Sequence, residues 1–272
     1  MGYEIKLDKI LETARIGVYR SWVFMGLGVN CSSSESIHFE VAGASHIKIY
    51  KNEISIEDLQ KIKEEFKIWI VGKGLEELIE TFAVFLEQLF SMLLFVEAWK
   101  IKGRADQDKQ TRFNQLGLKD KLTRLENYNI RTTFKDDVLS VNQARHCLTH
   151  RLGIVDERDV NSTDGLTVQW RTPQLYGHNE DGTEFIPNME MFEENNISKS
   201  PVEFPEGSPV KMRNDLRSKV FSVGSRIILE PRDLKEICFW FLVLVNELET
   251  SIIECIKSSG VTVSQAEKNA SQ

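Results

Sequence analysis

Apolar residues recur at three- and four-residue steps over residues 4–27, at Ile5, Ile10, Leu11, Ala14, Val18, Trp22 and Val23, which predicts a first helix stopped by Gly26 and Gly28. The stretch SIHFEVAGASHIKIYKNEI alternates apolar and polar positions around Gly43, as two short strands or an irregular crossover would. From Ser55 the pattern turns strongly helical. Ser55 precedes Glu57 and Asp58, an N-cap followed by carboxylates that suit the positive end of a helix dipole. The spacing predicts a helix from Ile56, a break at Gly72 and Gly74, and a long apolar stripe of Leu75, Leu78, Phe82, Phe85, Leu86, Leu89, Leu93 and Val96. Glu76, Glu80, Glu87 and Gln88 lie off that stripe, so this is the expected central core helix. Phe82, Phe85, Phe90, Phe95 and Trp99 are expected in the core or at a dimer interface. A polar loop, KGRADQDKQ, leads to shorter predicted helices over 113–127 and 134–152. Helices in succession with short joints argue for a bundle.

The character changes after Gly153. Residues 161–230 hold Pro173, Pro187, Pro201, Pro205 and Pro209, the turn NEDGT, and the β-like runs LTVQW and RIILE. A small β element with loops is predicted there, with 188–209 as an acidic mobile loop. A last helix is expected from Pro231 to about Ile256, with Pro231 in its first turn and Gly260 beyond its end. Its segment ICFWFLVLV is apolar nearly all round and should be buried, Phe239, Trp240 and Phe241 included. The chain thus divides into an N-terminal helix and β-like segment (1–54), a helical core (55–160), a β/loop insertion (161–230), a C-terminal core helix (231–257) and a flexible tail (258–272). The expected class is mainly α: an antiparallel helical bundle with a small β-containing insertion before the last helix.

Composition narrows the chemistry. The 272 residues are 41% hydrophobic, enough for a sizeable core, and the net charge of −7 leaves no overall positive field to hold a polyanion. Any nucleic-acid site must be a local basic patch. Cys31, Cys147, Cys238 and Cys255 stand far apart with no C-x-x-C pair, so neither a disulfide framework nor a zinc knuckle is expected. The first ten residues carry charges where a signal peptide would be apolar. The apolar runs at Phe82–Trp99 and Ile237–Val245 are interrupted or shorter than the roughly 20 residues of a membrane span. A soluble, cytoplasmic protein without membrane contact is expected.

The informative stretch is VNQARHCLTHRLGIVDERD, Val141 to Asp159, which sets Arg145, His146 and His150 on one helix ahead of a glycine. His146 and His150 are one turn apart and share a face, whereas Arg145 and His150 lie about 140° apart around the helix. One helix does not easily aim Arg145 and His150 at the same atom, but a two-fold pairing of identical helices can. An imidazole can take the proton of a ribose 2′-hydroxyl or protonate a leaving 5′-oxygen, and a guanidinium can clamp the phosphate between them. No metal is needed. Arg151 and Arg158, with Lys102 and Arg104 nearby, would form a basic, substrate-binding rim, to which Arg112 could add.

Plainer readings exist for the same residues. Cations at a helix C-terminus favour its negative dipole end. His146, His150 and the adjacent Cys147 could hold a transition metal, yet no Glu follows the first His and Cys147 points about 100° away. Cys147 is otherwise a packing residue, and His38, His46 and His178 read as surface or loop residues. Glu76, Glu80 and Glu87 could line a cleft and orient an imidazole, or simply form a solvated face.

The run R-H-C-L-T-H-R-L-G-I-V-D resembles the signature of the HEPN superfamily, in which an Arg, a polar residue, three residues and a His sit in a late bundle helix. The resemblance covers residues 75–160 and extends to 230–256. It implies a dimeric, metal-independent endoribonuclease without cofactor, of the kind found among prokaryotic toxins and abortive-infection effectors, with RNA as substrate and an antitoxin or regulatory partner. By that likeness Arg145 and His150 form the essential pair and His146 takes the polar position, which is most often Asn in the family. A non-catalytic HEPN-like dimer that binds a nucleotide or a partner protein is the alternative.

Overall fold

The computed structural model describes residues 7–32, 55–178, 181–185 and 211–260. In chain order these form α1 (Leu7–Ser32), α2 (Ile56–Lys100), α3 (Gln107–Asn114), α4 (Leu118–Glu126), α5 (Lys135–His150), a 3₁₀ turn (Glu157–Asp159), β1 (Leu166–His178), β2 (Glu184–Phe185), β3 (Lys211–Phe221) and α6 (Pro231–Ser258). The protein is mainly helical with a small antiparallel sheet ahead of the last helix. The β-like segment of 36–54, the acidic loop of 188–209 and the tail from 261 lie outside the described residues.

The glycines expected to stop α1 and to break α2 do neither. Both helices run through them; Gly28 and Gly74, like Gly17, sit where a neighbouring helix comes close, whereas Gly26 faces open space and Gly72 makes only ordinary contact with Leu148. A Cβ on Gly17 would stand 2.4 Å from Cβ of Thr81, and one on Gly28 would stand 2.6 Å from Cγ1 of Ile70. At Gly74 a Cβ would meet Leu234 Cδ2 at 2.5 Å. α1 therefore packs antiparallel on α2, whereas α6 runs parallel to it, with Leu234 over Gly74 and Phe241 edge-on to Phe82 at 5.1 Å. The Ser55 cap is as expected: its Oγ accepts from the Asp58 N–H at 3.0 Å.

The stripe of α2 is buried from Val71 to Val96 and forms the centre of a single hydrophobic core. Helix α2 is also long and apolar enough to cross a membrane by length and composition, and 56% of that apolar window is buried by the rest of the fold. Phe95 and Trp99 are exposed in the single chain, outside its core, and Phe239 on α6, expected to be buried, is exposed as well. The helix predicted over 113–127 is two helices, α3 and α4, separated at Gln115–Gly117, with Phe113 stacked on Phe90 at 4.0 Å.

In the sheet, ordered β2-β1-β3, β1 pairs antiparallel with β3 from Leu166↔Phe221 to Tyr176↔Lys211. LTVQW lies in β1 as expected. RIILE is not a strand: only Arg226 pairs, with Ile154, while Ile227 and Leu229 turn into the core. The partner of β1 is instead the highly charged KMRNDLRSKVF. Leu166, Val168 and Trp170 bury the inner face of β1.

Candidate functional site at the end of helix α5

Two devices fix α5. Near its start, Ser140 Oγ accepts from the Gln169 N–H at 2.8 Å and donates to the Asp137 carbonyl at 2.7 Å, while buried Asp137 accepts from Arg171 Nε at 2.7 Å. These contacts tie the helix to β1. At its other end the chain reverses through Leu152 (φ +53°) and Gly153 (φ +78°), so that the Gly153 N–H reaches back to the Cys147 carbonyl at 3.1 Å. A side chain at Gly153 would be strained by that φ, and its Cβ would lie 3.2 Å from Leu148. The reversed strand is held by Ile227, whose N–H donates to the Gly153 carbonyl at 2.8 Å.

This end of α5 carries the Arg/His set. His146 and His150 are exposed and their rings stack, with centroids 5.7 Å apart and an interplanar angle of 25°. Partial burial, and then the neighbouring Arg145, His150 and Arg151, hold the His146 pKa below the ordinary imidazole value, opposed only by Asp159. Arg145 is half-buried, its Nε is enclosed without a hydrogen-bond partner, and among the described residues no carboxylate pairs with it. A guanidinium without a counter-charge can turn its terminal N–H donors to another molecule.

The expected basic rim does not assemble. The Arg151 guanidinium donates through Nε and Nη2 to the carboxylate of Asp159, which is 1% exposed and also accepts from the Asp156 N–H at 3.0 Å. Arg158 folds back onto Asp156 through Nε and Nη2. Both cations are neutralised within the 151–159 turn. Lys102 and Arg104 stand beyond the far end of α2. Leu148 packs at Gly72, so at 1.5 Å per residue these two lie about 40 Å along α2 from the histidines.

The acidic candidates are engaged elsewhere or unpaired. Glu76 binds Lys73, Glu87 binds the buried Lys121 at 2.6 Å, and Glu80 is exposed with no partner among the described residues; none bonds an imidazole. Cys147 is fully buried, donates to the Ile154 carbonyl at 3.2 Å, and is pushed up to about 11 chiefly by burial and then by Asp159. It packs and is not a nucleophile. Among the described residues no three His, Cys, Asp or Glu side chains converge as a metal set would. His38 and His46 lie outside the described residues, and His178 ends β1 beside Tyr176.

Asp159 is the residue that sequence reasoning missed. Its signal was present in Asp156-x-x-Asp159, the spacing of a reciprocal cap, and both carboxylates do cap the 3₁₀ turn. No family model matches the chain, and no curated protein and no solved structure matches it.

Proposed function

We propose that the protein is a metal-independent endoribonuclease of HEPN type and architecture, a cytoplasmic toxin or anti-phage effector that cleaves RNA in a cleft between two copies of the chain. The observation that carries this reading is the state of the α5 terminus: two stacked, exposed imidazoles beside a half-buried arginine that no acid among the described residues neutralises. In the proposed step an imidazole takes the proton of the ribose 2′-hydroxyl as its oxygen attacks phosphorus. A second imidazole gives a proton to the departing 5′-oxygen, and the product ends are a 2′,3′-cyclic phosphate and a free 5′-hydroxyl. His150 acts as general acid or base, Arg145 binds the phosphoryl oxygens as their charge grows, and His146 assists by polar contact.

An exposed apolar surface supports the pairing of two chains. Leu152 is 82% exposed, and Ile154 and Ile228 stand exposed beside it, next to the Arg/His set. A two-fold contact there would bring both sets into one cleft. The test is cleavage of RNA in the presence of EDTA, with end-group analysis. Cyclic phosphate ends that vanish in Arg145→Ala and His150→Ala support the reading, and cleavage unchanged in both variants rejects it.

One observation favours the second reading, a non-catalytic dimer that binds a nucleotide or a partner protein. With Arg151 and Arg158 neutralised, no basic rim surrounds the motif to draw in RNA. Expression separates the two readings: toxicity in wild type that His150→Ala abolishes marks the nuclease, and equal tolerance marks the binding module.

A further inference from the structure

The α5 terminus does not use the groove on the other side of α2. This groove runs between α1 and α2, has a volume of about 320 Å³, and is lined by Ser21 and Phe24 from α1 and by Trp69, Gly74 and Glu80 from α2. Its lining explains its depth. Gly74 contributes no side chain, and Ser21, which lies beside it, is 1% exposed with an Oγ that has no hydrogen-bond partner. A hydroxyl enclosed without a partner costs on the order of 1–3 kcal/mol unless something supplies one. Above it stand two aromatic rings that remain in solvent, Phe24 at 51% and Trp69 at 54% exposure, and Trp69 is braced by stacking on Phe66 at 5.9 Å.

The charges at the rim select the occupant. Arg20 is bound to Glu77 at 3.1 Å and Lys73 to Glu76, so both cations are neutralised where they stand. The charge left over is the carboxylate of Glu80. A phosphate inside the groove would meet net negative charge, whereas an uncharged planar ring would meet two aromatic faces, a free hydroxyl and a free acceptor. A carboxylate accepts from an exocyclic amino group, whereas a uracil edge offers it one N–H flanked by two carbonyl oxygens that repel it.

We infer that the α1/α2 groove binds a nucleobase that carries an exocyclic amino group, stacked on Trp69 and Phe24 and hydrogen-bonded by Ser21 and Glu80. The base can come from a free nucleoside or from an RNA strand whose phosphates stay outside. The free-nucleoside case stands apart from the nuclease reading; the RNA case rests on it, because Trp69 lies less than one turn of α2 from Gly72, where α5 packs through Leu148.

Binding is measured on the full chain carrying His150→Ala, so that loss of cleavage and loss of binding are read separately. The probes are adenosine, uridine, adenosine 5′-triphosphate and a short adenine-rich RNA, followed by quenching of tryptophan fluorescence and by calorimetry. The expected result is saturable binding of adenosine, at least about tenfold tighter than uridine and no weaker than the triphosphate. Trp69→Ala, an exposed position whose loss should leave the melting temperature in place, weakens it at least about tenfold, as loss of base–aromatic stacking does. Ser21→Ala and Glu80→Gln each weaken it several-fold, Glu80→Gln with loss of preference over uridine. RNA that displaces adenosine identifies a strand-binding subsite, and RNA that leaves it bound identifies an effector site. No saturable adenosine binding, equal affinity for uridine, or affinity unchanged in Trp69→Ala overturns the inference.

Discussion

Two arginines six positions apart have opposite fates. Arg145 lies inside α5 with its Nε enclosed and no acid among the described residues against it, while Arg151, one residue past the helix, is locked to the buried carboxylate of Asp159. In a sequence they count equally toward a basic patch. In the fold one is a charge held in reserve and the other is a structural strut, and only the first can meet an incoming phosphate without breaking an existing pair. The difference is made by the turn at Leu152 and Gly153, which swings residues 156–159 back under the helix end. A cationic site is therefore defined by which counter-charges the chain folds onto it.

The strongest test of this contrast is kinetic. Arg145→Ala should lower RNA cleavage about 10²-fold or more, the size of effect expected when a donor to developing phosphoryl charge is removed, and His150→Ala about 10²- to 10⁴-fold, as for a general acid or base. Their urea midpoints should stay close to wild type. Arg151→Ala should do the reverse: it leaves the Asp159 carboxylate buried and alone, a defect worth about 3–5 kcal/mol, to be read by chemical denaturation. Equal destabilisation by Arg145→Ala and Arg151→Ala would break the comparison.

Cys147 offers a third measure, because it is buried at this end of α5 and its thiol is held up to about 11. In native protein at pH 8 a thiol reagent should label exposed Cys31 quickly and Cys147 slowly, and Arg151→Ala should speed the labelling of Cys147. Arg158→Ala, in contrast, removes a solvent-facing partner of Asp156 and should leave the denaturation midpoint unmoved. The smallest effect is on pH dependence. The folded state holds the His146 proton less tightly than the unfolded chain, whose imidazole titrates near 6.5. The unfolded state therefore binds more protons as pH falls below 6.5, so stability is fully present above that value and declines through the lowered folded pKa. His146→Gln should flatten this decline in melts taken from pH 5 to 7.5.

The contrast also marks where sequence reading succeeds. The stripe from Leu75 to Val96, the cap at Ser55 and the apolar face of α6 are local patterns, and the helices follow them. The placement of Arg145, His146 and His150 on one helix end was readable for the same reason. Gly72 and Gly74 misled because a glycine that breaks a helix and one that admits a neighbour look alike until Leu148 and Leu234 are in place. β3 was missed because Lys211, Arg213, Arg217 and Lys219 resemble a solvated loop, although Arg213 and Lys219 find partners in Glu184 and Asp233. The pairing of Arg151 with Asp159, and the removal of Lys102 and Arg104 to the far end of α2, depend on chain reversal and on helix length in space, which periodicity does not carry.

The unbroken course of α2 bears on how the protein can be taken apart. From Val71 to Val96 it contributes to one continuous core, packed against α1, α3, α4, α5 and α6. A fragment cut to residues 55–160 would keep the Arg/His set but leave α5 without Val168, Trp170, Ile227 and Trp240, which close the core around it. The motif is not a portable cassette. Grafted or excised alone it would lose the backing that keeps His146, His150 and Arg145 at a fixed spacing, and the smallest unit in which it can work includes the final helix.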